Sequence, residues 1–272
     1  MEKKVKINIL AIQMSSIIAD LESNIQKVEY LLEKNLVDKT VDFVFLPEVW
    51  TVGWDCASFP QCAEDITFAK SVKMLRSIAK KYNVNVIGGS FIEKRNNKLF
   101  NSCPVINRNG DVVCTYEKSH LFSYYGCAEG DFITVGKNPV LIEMDGVKIG
   151  LGICYDIRFP ELYRAYRKSG ADILVNMAAW GSNKRIPWDS MTTSRAVENQ
   201  TYFVALTQTG SLREGANLGH SMIIDYKGEV LSEIDEIEGG IFAELDLYEM
   251  YEFRNKCRII DDIKDSYEVV MR

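Results

Sequence analysis

The stretch Val147-Lys-Ile-Gly-Leu-Gly-Ile-Cys-Tyr-Asp-Ile-Arg-Phe-Pro-Glu-Leu162 decides how the rest of the chain is interpreted. Its first half alternates and then runs apolar, which predicts a buried strand, and Pro160 predicts the first turn of a following helix. Cys154 therefore lies at a strand-to-helix turn, which lifts a side chain out of the sheet, and Gly150 and Gly152 leave room for a ligand or another backbone. Positive backbone amides there can lower the pKa of a thiol and bind a developing oxyanion. The alternative is a buried structural cysteine, because free cysteine is among the most buried residue types.

Length, charge and cysteine usage limit the class of protein. With 272 residues we expect one domain that covers residues 1–272. The net charge of −6 and the absence of a basic run argue against binding to nucleic acid. No apolar run reaches the length of a membrane span and the first residues lack the core of a signal peptide, so we expect no membrane contact. Seven irregularly spaced cysteines resemble neither a disulfide framework nor a zinc site, which favours a reducing cytoplasm and no metal.

Strands and helices alternate in the first third of the chain. Residues 5–14 predict a strand, and Asp20 predicts the N-cap of the helix that follows. A short strand is predicted at residues 42–46, a helix at 68–82 with Phe68 on its apolar face, and a strand at 84–92. This repeated β-α pattern predicts an α/β fold.

Hairpins dominate the next part of the chain. Strands at 99–107 and 112–118 flank the turn Asn109-Gly110, and a strand at 140–144 pairs with the one that ends at Cys154. The remaining predicted elements are a helix after Pro160, strands at 172–178 and 202–207, a helix from Pro187 to Asn199, a hairpin of 221–225 with 229–231, and a strand at 241–245. The layout allows two stacked sheets with helices outside.

Three chemically useful side chains follow predicted strands: Glu48, Lys118 and Cys154. The carboxyl ends of core strands are where open α/β sheets bind ligands, so Glu48 is poorly placed for a merely solubilising charge. A thiol nucleophile needs a base for the sulfur proton, and a fixed positive charge can stabilise a developing oxyanion. These three residue types can supply that chemistry.

Three motifs make the chain resemble the nitrilase superfamily of carbon-nitrogen hydrolases. They are Phe45-Leu-Pro-Glu48, Tyr116-Glu-Lys118-Ser-His-Leu-Phe122 and Gly152-Ile-Cys154-Tyr-Asp-Ile-Arg-Phe-Pro-Glu161, and together they are far more specific than each one alone. That family has Glu, Lys and Cys in this order, each after a core strand. The resemblance implies a four-layer α-β-β-α sandwich, a homodimer or higher homo-oligomer formed through helices, a small-molecule amide substrate, and no metal or organic cofactor.

The resemblance also implies roles for individual residues. Cys154 would attack the amide, release ammonia and carry a thioester, while Glu48 would act as base and then as acid. Lys118 and the backbone amide of Tyr155 would stabilise the tetrahedral intermediate. Glu129, which precedes a Phe-x-x-x-Gly stretch, would position the substrate or the lysine.

The region after Cys154 is similar to the amidase branch that contains ω-amidases, which act on the terminal amide of short dicarboxylic monoamides. Such a substrate needs a cationic or amide-rich end pocket, and Arg158 is a candidate for it, although an ion pair with Asp156 is an equal alternative. Tyr124, Tyr125 and Trp180 are candidates for the pocket wall, with core packing as their alternative role.

Other readings of the same residues stay open at this point. His120 or His220 could be the base of a cysteine-histidine enzyme. N-carbamoyl hydrolysis and nitrile hydrolysis use related chemistry, although the Cys154-Tyr pair departs from the Cys-Trp-Glu usual in the nitrile-hydrolysing branch. A binding or scaffold protein with the same fold and no activity is the non-enzymatic alternative.

Overall fold

A computed structural model describes residues 5–124, 126, 128–211, 215–264 and 266–271. The strands are β1 (Lys6–Gln13), β2 (Phe43–Phe45), β3 (Asn85–Ile87), β4 (Phe91–Arg95), β5 (Lys98–Ile106), β6 (Val112–Glu117), β7 (Leu141–Met144), β8 (Val147–Ile153), β9 (Ile173–Ala178), β10 (Tyr202–Thr207), β11 (Ser221–Ile224), β12 (Val230–Ile234) and β13 (Gly239–Asp246). The α-helices are α1 (Leu21–Leu36), α2 (Phe59–Cys62), α3 (Lys70–Tyr82), α4 (Glu129–Phe132), α5 (Pro160–Lys168), α6 (Arg185–Asn199) and α7 (Leu247–Lys256). Short 3-10 turns lie at Cys56–Ser58, Cys154–Arg158, Ser182–Lys184 and Ile259–Asp262.

The strands form two mixed sheets, each built around three parallel strands. The first sheet has the order β13-β1-β2-β3-β5-β4, with β6 also paired to β5, and β1, β2 and β3 are parallel. The second has the order β12-β11-β10-β9-β8-β7, with β8, β9 and β10 parallel. Antiparallel strands complete both sheets. The hairpin predicted from the turn Asn109-Gly110 is formed by β5 and β6.

Helices cover the outer faces of the two sheets. In β1, Ile9 faces a core shared with β8 and β9 of the second sheet, whereas Leu10 faces α1 and α3. Helices α5 and α6 pack on the second sheet from the other side. The predicted four-layer α-β-β-α sandwich is therefore confirmed.

The helix starts follow the local signals in the sequence. The Asp20 carboxylate accepts a hydrogen bond from the backbone N–H of Ser23, which satisfies one of the amides left open at the start of α1. Pro160 occupies the first turn of α5, where a missing N–H costs nothing. Both predicted helix starts are confirmed.

Two predicted elements differ from the structure. The strand predicted at residues 84–92 is divided into β3 and β4, because Gly89 has a φ of +64° and lies directly against the Pro47 carbonyl. The chain turns there, and β4 pairs with β5 instead of extending β3. Phe68 lies before α3 rather than on its buried face, and 71% of it is exposed. A turn in which Asp65 accepts from the N–H of Thr67 delays the start of the helix.

The two glycines of β8 make room for helix side chains. A Cβ atom on Gly150 would lie 2.6 Å from the Tyr166 ring, and one on Gly152 would overlap the Tyr163 hydroxyl. The expectation of a ligand or a backbone at these positions is therefore wrong, because α5 fills the space with two tyrosines. This packing places the turn that carries Cys154 close to α5.

None of the helices within the described residues is both long enough and apolar enough to cross a bilayer.

Candidate active site

Four residues predicted to be catalytic converge at one buried position. Glu48 lies just after β2, Lys118 just after β6, Glu129 at the start of α4, and Cys154 just after β8. Glu48 and Glu129 are fully buried, Lys118 is 1% exposed and Cys154 is 8% exposed. The cluster therefore contains an ammonium, two carboxyl groups and a thiol almost out of contact with water.

The Lys118 ammonium joins the two carboxyl groups. Its Nζ lies 2.8 Å from Glu48 Oε1 and 3.0 Å from each carboxyl oxygen of Glu129. The Phe122 N–H donates to Glu129 Oε2 at 2.7 Å, and the Ala179 N–H donates to Glu48 Oε2 at 2.8 Å. Backbone amides and Lys118 therefore fix both carboxyl groups, as buried charges require.

Asn101 is a member of the cluster that the sequence reasoning missed. Its side-chain Nδ2 donates to Glu48 Oε1 at 3.0 Å and lies 3.4 Å from Glu129 Oε1, between the two carboxyl groups. Its backbone carbonyl also accepts from the Lys118 N–H at 2.9 Å. A signal existed, because asparagine is depleted in strands and Asn101 lies inside the predicted strand 99–107.

Cys154 lies in a strained turn. Its φ is +47°, which is uncommon for a residue with a Cβ atom and is found at functional sites when the surroundings enforce it. The turn is the 3-10 segment Cys154–Arg158, and α5 begins only at Pro160. The cysteine is thus separated from α5 by a short 3-10 turn, and Tyr155, whose backbone amide was predicted to bind an oxyanion, is the second residue of that turn.

Asp156 braces this turn. One of its carboxylate oxygens accepts from the Ile153 N–H at 2.9 Å and the Tyr116 hydroxyl at 2.7 Å. The other accepts from the His120 N–H at 2.9 Å and lies 2.7 Å from His120 Nδ1. Glu161, the last residue of the third motif, is exposed at the start of α5.

The surroundings act on the thiol in the direction opposite to the expectation. Burial, and after it the negative charge of Glu48, raise the pKa of the Cys154 thiol well above its ordinary value, and a hydrogen bond to Glu48 adds to this. Lys118 acts in the other direction but does not reverse the shift. The expected lowering by the turn is therefore wrong for the resting site, because burial, and after it the two carboxyl groups, oppose a thiolate.

The same cluster shifts the pKa values of its other members. Burial alone lowers the pKa of the Lys118 ammonium, but the charges of Glu129 and Glu48 outweigh burial and raise it well above its ordinary value. Burial raises the pKa of the Glu129 carboxyl, against the effect of Lys118. Lys118 is therefore a permanent positive charge at this site.

A cavity of about 720 Å³ opens above Cys154. Of the predicted pocket residues, Tyr124, Trp180 and Arg158 all line it. Tyr125 lies outside the described residues. The Arg158 guanidinium lies over the Trp180 ring, 5.6 Å from its centroid. The Asp156 carboxylate accepts hydrogen bonds from Ile153, Tyr116 and His120.

Aromatic and cationic residues from other segments complete the cavity. Trp54 lines the cavity and also contacts the Lys118 ammonium, which lies 4.9 Å from the ring centroid. Phe122 and Lys184 line it as well. Lys184 was missed, because nothing in the local pattern separates it from a surface lysine.

Both histidines have partners other than the thiol. His120 pairs with Asp156 and stacks on Phe159, with ring centroids 3.6 Å apart. His220 contacts Arg185 and Asp235. The side chains that act most strongly on the pKa of the Cys154 thiol are Glu48, Lys118 and Glu129.

Comparisons with known proteins give a consistent result. The family model described as carbon-nitrogen hydrolase matches residues 9–255. A 2-oxoglutaramate amidase of Bacillus subtilis is 38% identical over 246 residues, covering 90% of this chain and 93% of the relative. An omega-amidase of Danio rerio is 31% identical over 276 residues, covering 98% of this chain and 97% of the relative. A solved structure from Saccharomyces cerevisiae, described as a member of branch 10 of the nitrilase superfamily, superposes with a TM-score of 0.86 at 27% identity, covering 93% and 95%.

Proposed function

Because this chain belongs to the carbon-nitrogen hydrolase family, we propose that it hydrolyses the terminal amide of a short dicarboxylic monoamide through a thioester on Cys154. The protein is an amidase that acts on a small linear carboxamide, in keeping with relatives named as omega-amidase and 2-oxoglutaramate amidase. The monoamide substrate and the residue roles are the proposal. The single observation that carries it is the buried contact of Lys118 with Glu48 and Glu129 beside the thiol of Cys154.

In the proposed first step, proton transfer accompanies attack. The raised pKa keeps the Cys154 thiol protonated at rest, because a thiolate would be a buried charge and would lie beside two carboxyl groups. Glu48 accepts the proton as sulfur bonds to the amide carbon. The negative charge passes to the amide oxygen.

That oxygen then needs positive groups that are already in place. Lys118 supplies a fixed charge, and the backbone N–H of Tyr155 supplies a hydrogen-bond donor. Glu129 positions Lys118 through two contacts of 3.0 Å. Such preorganised groups stabilise the intermediate without reorganisation during the reaction.

Glu48 completes the cycle by returning the proton. It protonates the leaving nitrogen, the C–N bond breaks, and ammonia leaves the thioester of Cys154. Glu48 then removes a proton from water, which attacks the thioester carbon, and the sulfur leaves with that proton. The products are the carboxylic acid, ammonia and the resting thiol.

The cavity fits a small acid amide. Its volume of about 720 Å³ lies within the usual range for small-molecule sites. Arg158 is the proposed partner of the substrate carboxylate, because a guanidinium binds a carboxylate through two parallel hydrogen bonds. Tyr124, Tyr125 and Trp180 are the proposed walls.

Ammonia release from a panel of compounds tests this proposal. The panel contains dicarboxylic monoamides, neutral amides, N-carbamoyl amino acids and nitriles, with Cys154→Ala as the blank. We expect the monoamides to react fastest and an acyl adduct on Cys154 to appear by intact-mass spectrometry. Preferred release from a carbamoyl compound or a nitrile, or no release from any compound by protein whose thiol is titratable, would reject the proposal.

We also propose that the protein works in the cytoplasm as a homodimer or higher homo-oligomer, and that residues 1–272 form one domain. The six cysteines among the described residues are all free thiols, which suits a reducing compartment. Light scattering coupled to size-exclusion chromatography tests the oligomeric state, and a monomer at micromolar concentration would contradict it.

A further inference from the structure

Asn101 lies between the two buried carboxyl groups of the candidate active site. It belongs to β5 and is 1% exposed, and its carbonyl accepts from the Lys118 N–H at 2.9 Å. Its Nδ2 atom is 3.0 Å from Glu48 Oε1 and 3.4 Å from Glu129 Oε1. Asn101 thus contacts three of the four residues in the cluster, although the proposed mechanism gives its side chain no role.

The cluster contains more acid than base. The side chains that act most strongly on the Lys118 ammonium are all acidic, namely Glu129, Glu48 and Cys154. Even with a protonated thiol, two ionised carboxyl groups carry one negative charge more than a single ammonium balances. A buried charge in excess needs hydrogen-bond donors, or else one of the two carboxyl groups takes up a proton.

Every carboxyl oxygen of the pair accepts from a nitrogen donor. Each Oε2 atom accepts from a backbone N–H, at 2.8 Å for Glu48 and at 2.7 Å for Glu129. The two Oε1 atoms share the Lys118 ammonium and the Asn101 amide. Hydrogen bonds from N–H groups favour the charged form of a carboxyl group, so this set of donors suits two carboxylates.

The orientation of the Asn101 amide also fits two ionised neighbours. An amide NH₂ group carries two hydrogens, and Nδ2 lies within hydrogen-bond distance of both Oε1 atoms. The other end of the amide, Oδ1, is buried and has no partner among the described residues. The reverse orientation would place Oδ1 against two carboxylate oxygens, and leaving it unpaired avoids that repulsion.

We infer that Asn101 is a positioning residue that keeps Glu48 and Glu129 ionised together around the single ammonium of Lys118. This inference rests on the proposed function, since an ionised Glu48 is the base that takes the sulfur proton. Without the amide, one of the two carboxyl groups should hold a proton to higher pH, and a protonated Glu48 cannot act as that base. The role therefore predicts a pH dependence that a residue needed only for packing would not produce.

The pH profile of amide hydrolysis tests the inference. For Asn101→Leu, which removes both donors, we expect the acidic limb of kcat/KM to move to higher pH by about one unit, because a hydrogen bond to a charged group is lost. On that limb the rate should fall about tenfold, and above it the rate should approach that of the wild type. Asn101→Asp is nearly isosteric and should move the limb at least as far, because it replaces a donor with a third acidic group.

Stability at different pH values gives a measurement that does not depend on hydrolysis. At low pH the carboxyl pair carries a proton in both proteins, so the missing donor matters little. Between this limit and high pH the folded variant binds more protons than the folded wild type, so its stability rises less with pH. In urea denaturation we expect the ratio of the unfolding constant of Asn101→Leu to that of the wild type to grow about tenfold between about pH 5.5 and pH 8.5. Asn101→Asp should show the same trend.

Asn85→Leu is the matched control. Asn85 is a buried asparagine of the same sheet and donates to the Asp145 carboxylate at 2.6 Å. It pairs with Phe43 at the start of β2, whereas Glu48 follows the end of that strand. The loss of stability in Asn85→Leu should be the same across this pH range, and the acidic limb should stay in place.

The outcomes separate this inference from the proposed function. A loss of stability that grows with pH, in protein that hydrolyses none of the amides, would support the role of Asn101 and reject the proposed function. Hydrolysis with an acidic limb that neither Asn101 variant moves would reject the role of Asn101. A loss of stability that is the same at every pH would reject it as well.

Discussion

At the scale of single residues, the thiol of Cys154 shows how charge decides chemistry. Its pKa is raised by burial and by Glu48, so the resting cluster holds a thiol and not a thiolate. The proposed base is therefore also the group that opposes ionisation of the nucleophile. Removing the Glu48 carboxylate should therefore make the Cys154 thiol ionise more easily and at the same time slow the catalysed reaction.

We predict this opposition for Glu48→Gln. Loss of the carboxylate removes a group that raises the pKa of Cys154, so the pH profile of alkylation by iodoacetamide should shift to lower pH. In the wild type the alkylation rate should still rise above pH 9, near the ordinary thiol pKa. Amide hydrolysis at pH 7 should fall about a thousandfold, since the proton acceptor is gone. An alkylation profile that stays in place or moves to higher pH would contradict the assignment.

Asp156→Asn is predicted to destabilise the turn whichever way the new amide is oriented. The two carboxylate oxygens accept from different backbone donors, Ile153 N–H and His120 N–H, so the NH₂ group must face one of them. We expect the free energy of unfolding to fall by about 2–4 kcal/mol, because a buried donor is left unsatisfied. Urea denaturation at constant m-value measures it, with the exposed Asp262→Asn as control. Equal stability of the two variants would remove Asp156 as the brace.

At the scale of elements, β8 and α5 are fitted to each other by the missing side chains of β8. Gly150 and Gly152 face Tyr166 and Tyr163, so an aromatic helix face packs close to the strand. The chain also repeats one arrangement: β1-α1-β2-α3-β3 and β8-α5-β9-α6-β10 each form three parallel strands joined by helices. No internal repeat is visible in the sequence, since many different apolar residues satisfy the same packing.

We predict energetic coupling between Gly152 and Tyr163. Gly152→Ala should destabilise the protein by about 1–3 kcal/mol, because its methyl group overlaps the Tyr163 hydroxyl. Tyr163→Phe removes that oxygen along with its contact to Asn176, so the alanine should cost less in the phenylalanine background. A double-mutant cycle of unfolding free energies measures the coupling. Strict additivity would show that the overlap is relieved elsewhere.

At the scale of the whole molecule, the two halves of the chain share both a core and a site. Ile9 and Phe45 of the first sheet belong to one hydrophobic cluster with Leu151 and Val175 of the second. The candidate site likewise joins Glu48 of the first half to Cys154 of the second. Neither half can bury its inner face without the other.

We therefore predict that the proposed single domain unfolds in one transition. Far-UV circular dichroism and tryptophan fluorescence should give coincident urea curves, because both sheets lose the shared core together. Tryptophan reports on both sheets, since Trp50 packs with the helices of the first and Trp188 with the second. Two separated transitions would show that the sheets are independent units.

The sequence by itself determined the strand and helix pattern and the positions of Glu48, Lys118 and Cys154 after strands. Those features depend on periodicity, caps and turns, which act within a few residues. A break such as the one at Gly89 was missed, because its cause is the distant Pro47 carbonyl.

Only the tertiary structure decided the electrostatics of the site. The direction of the Cys154 pKa shift depends on burial and on Glu48, Lys118 and Glu129, which are far apart in the chain. Lys184 lines the cavity only because folding brings it there, and no local pattern predicts this. For Asn101 the sequence offers one signal, an asparagine inside a predicted strand, but not its contacts with Glu48 and Glu129. Local chemistry selects the elements, whereas the energy of a buried charge depends on every group that packs around it.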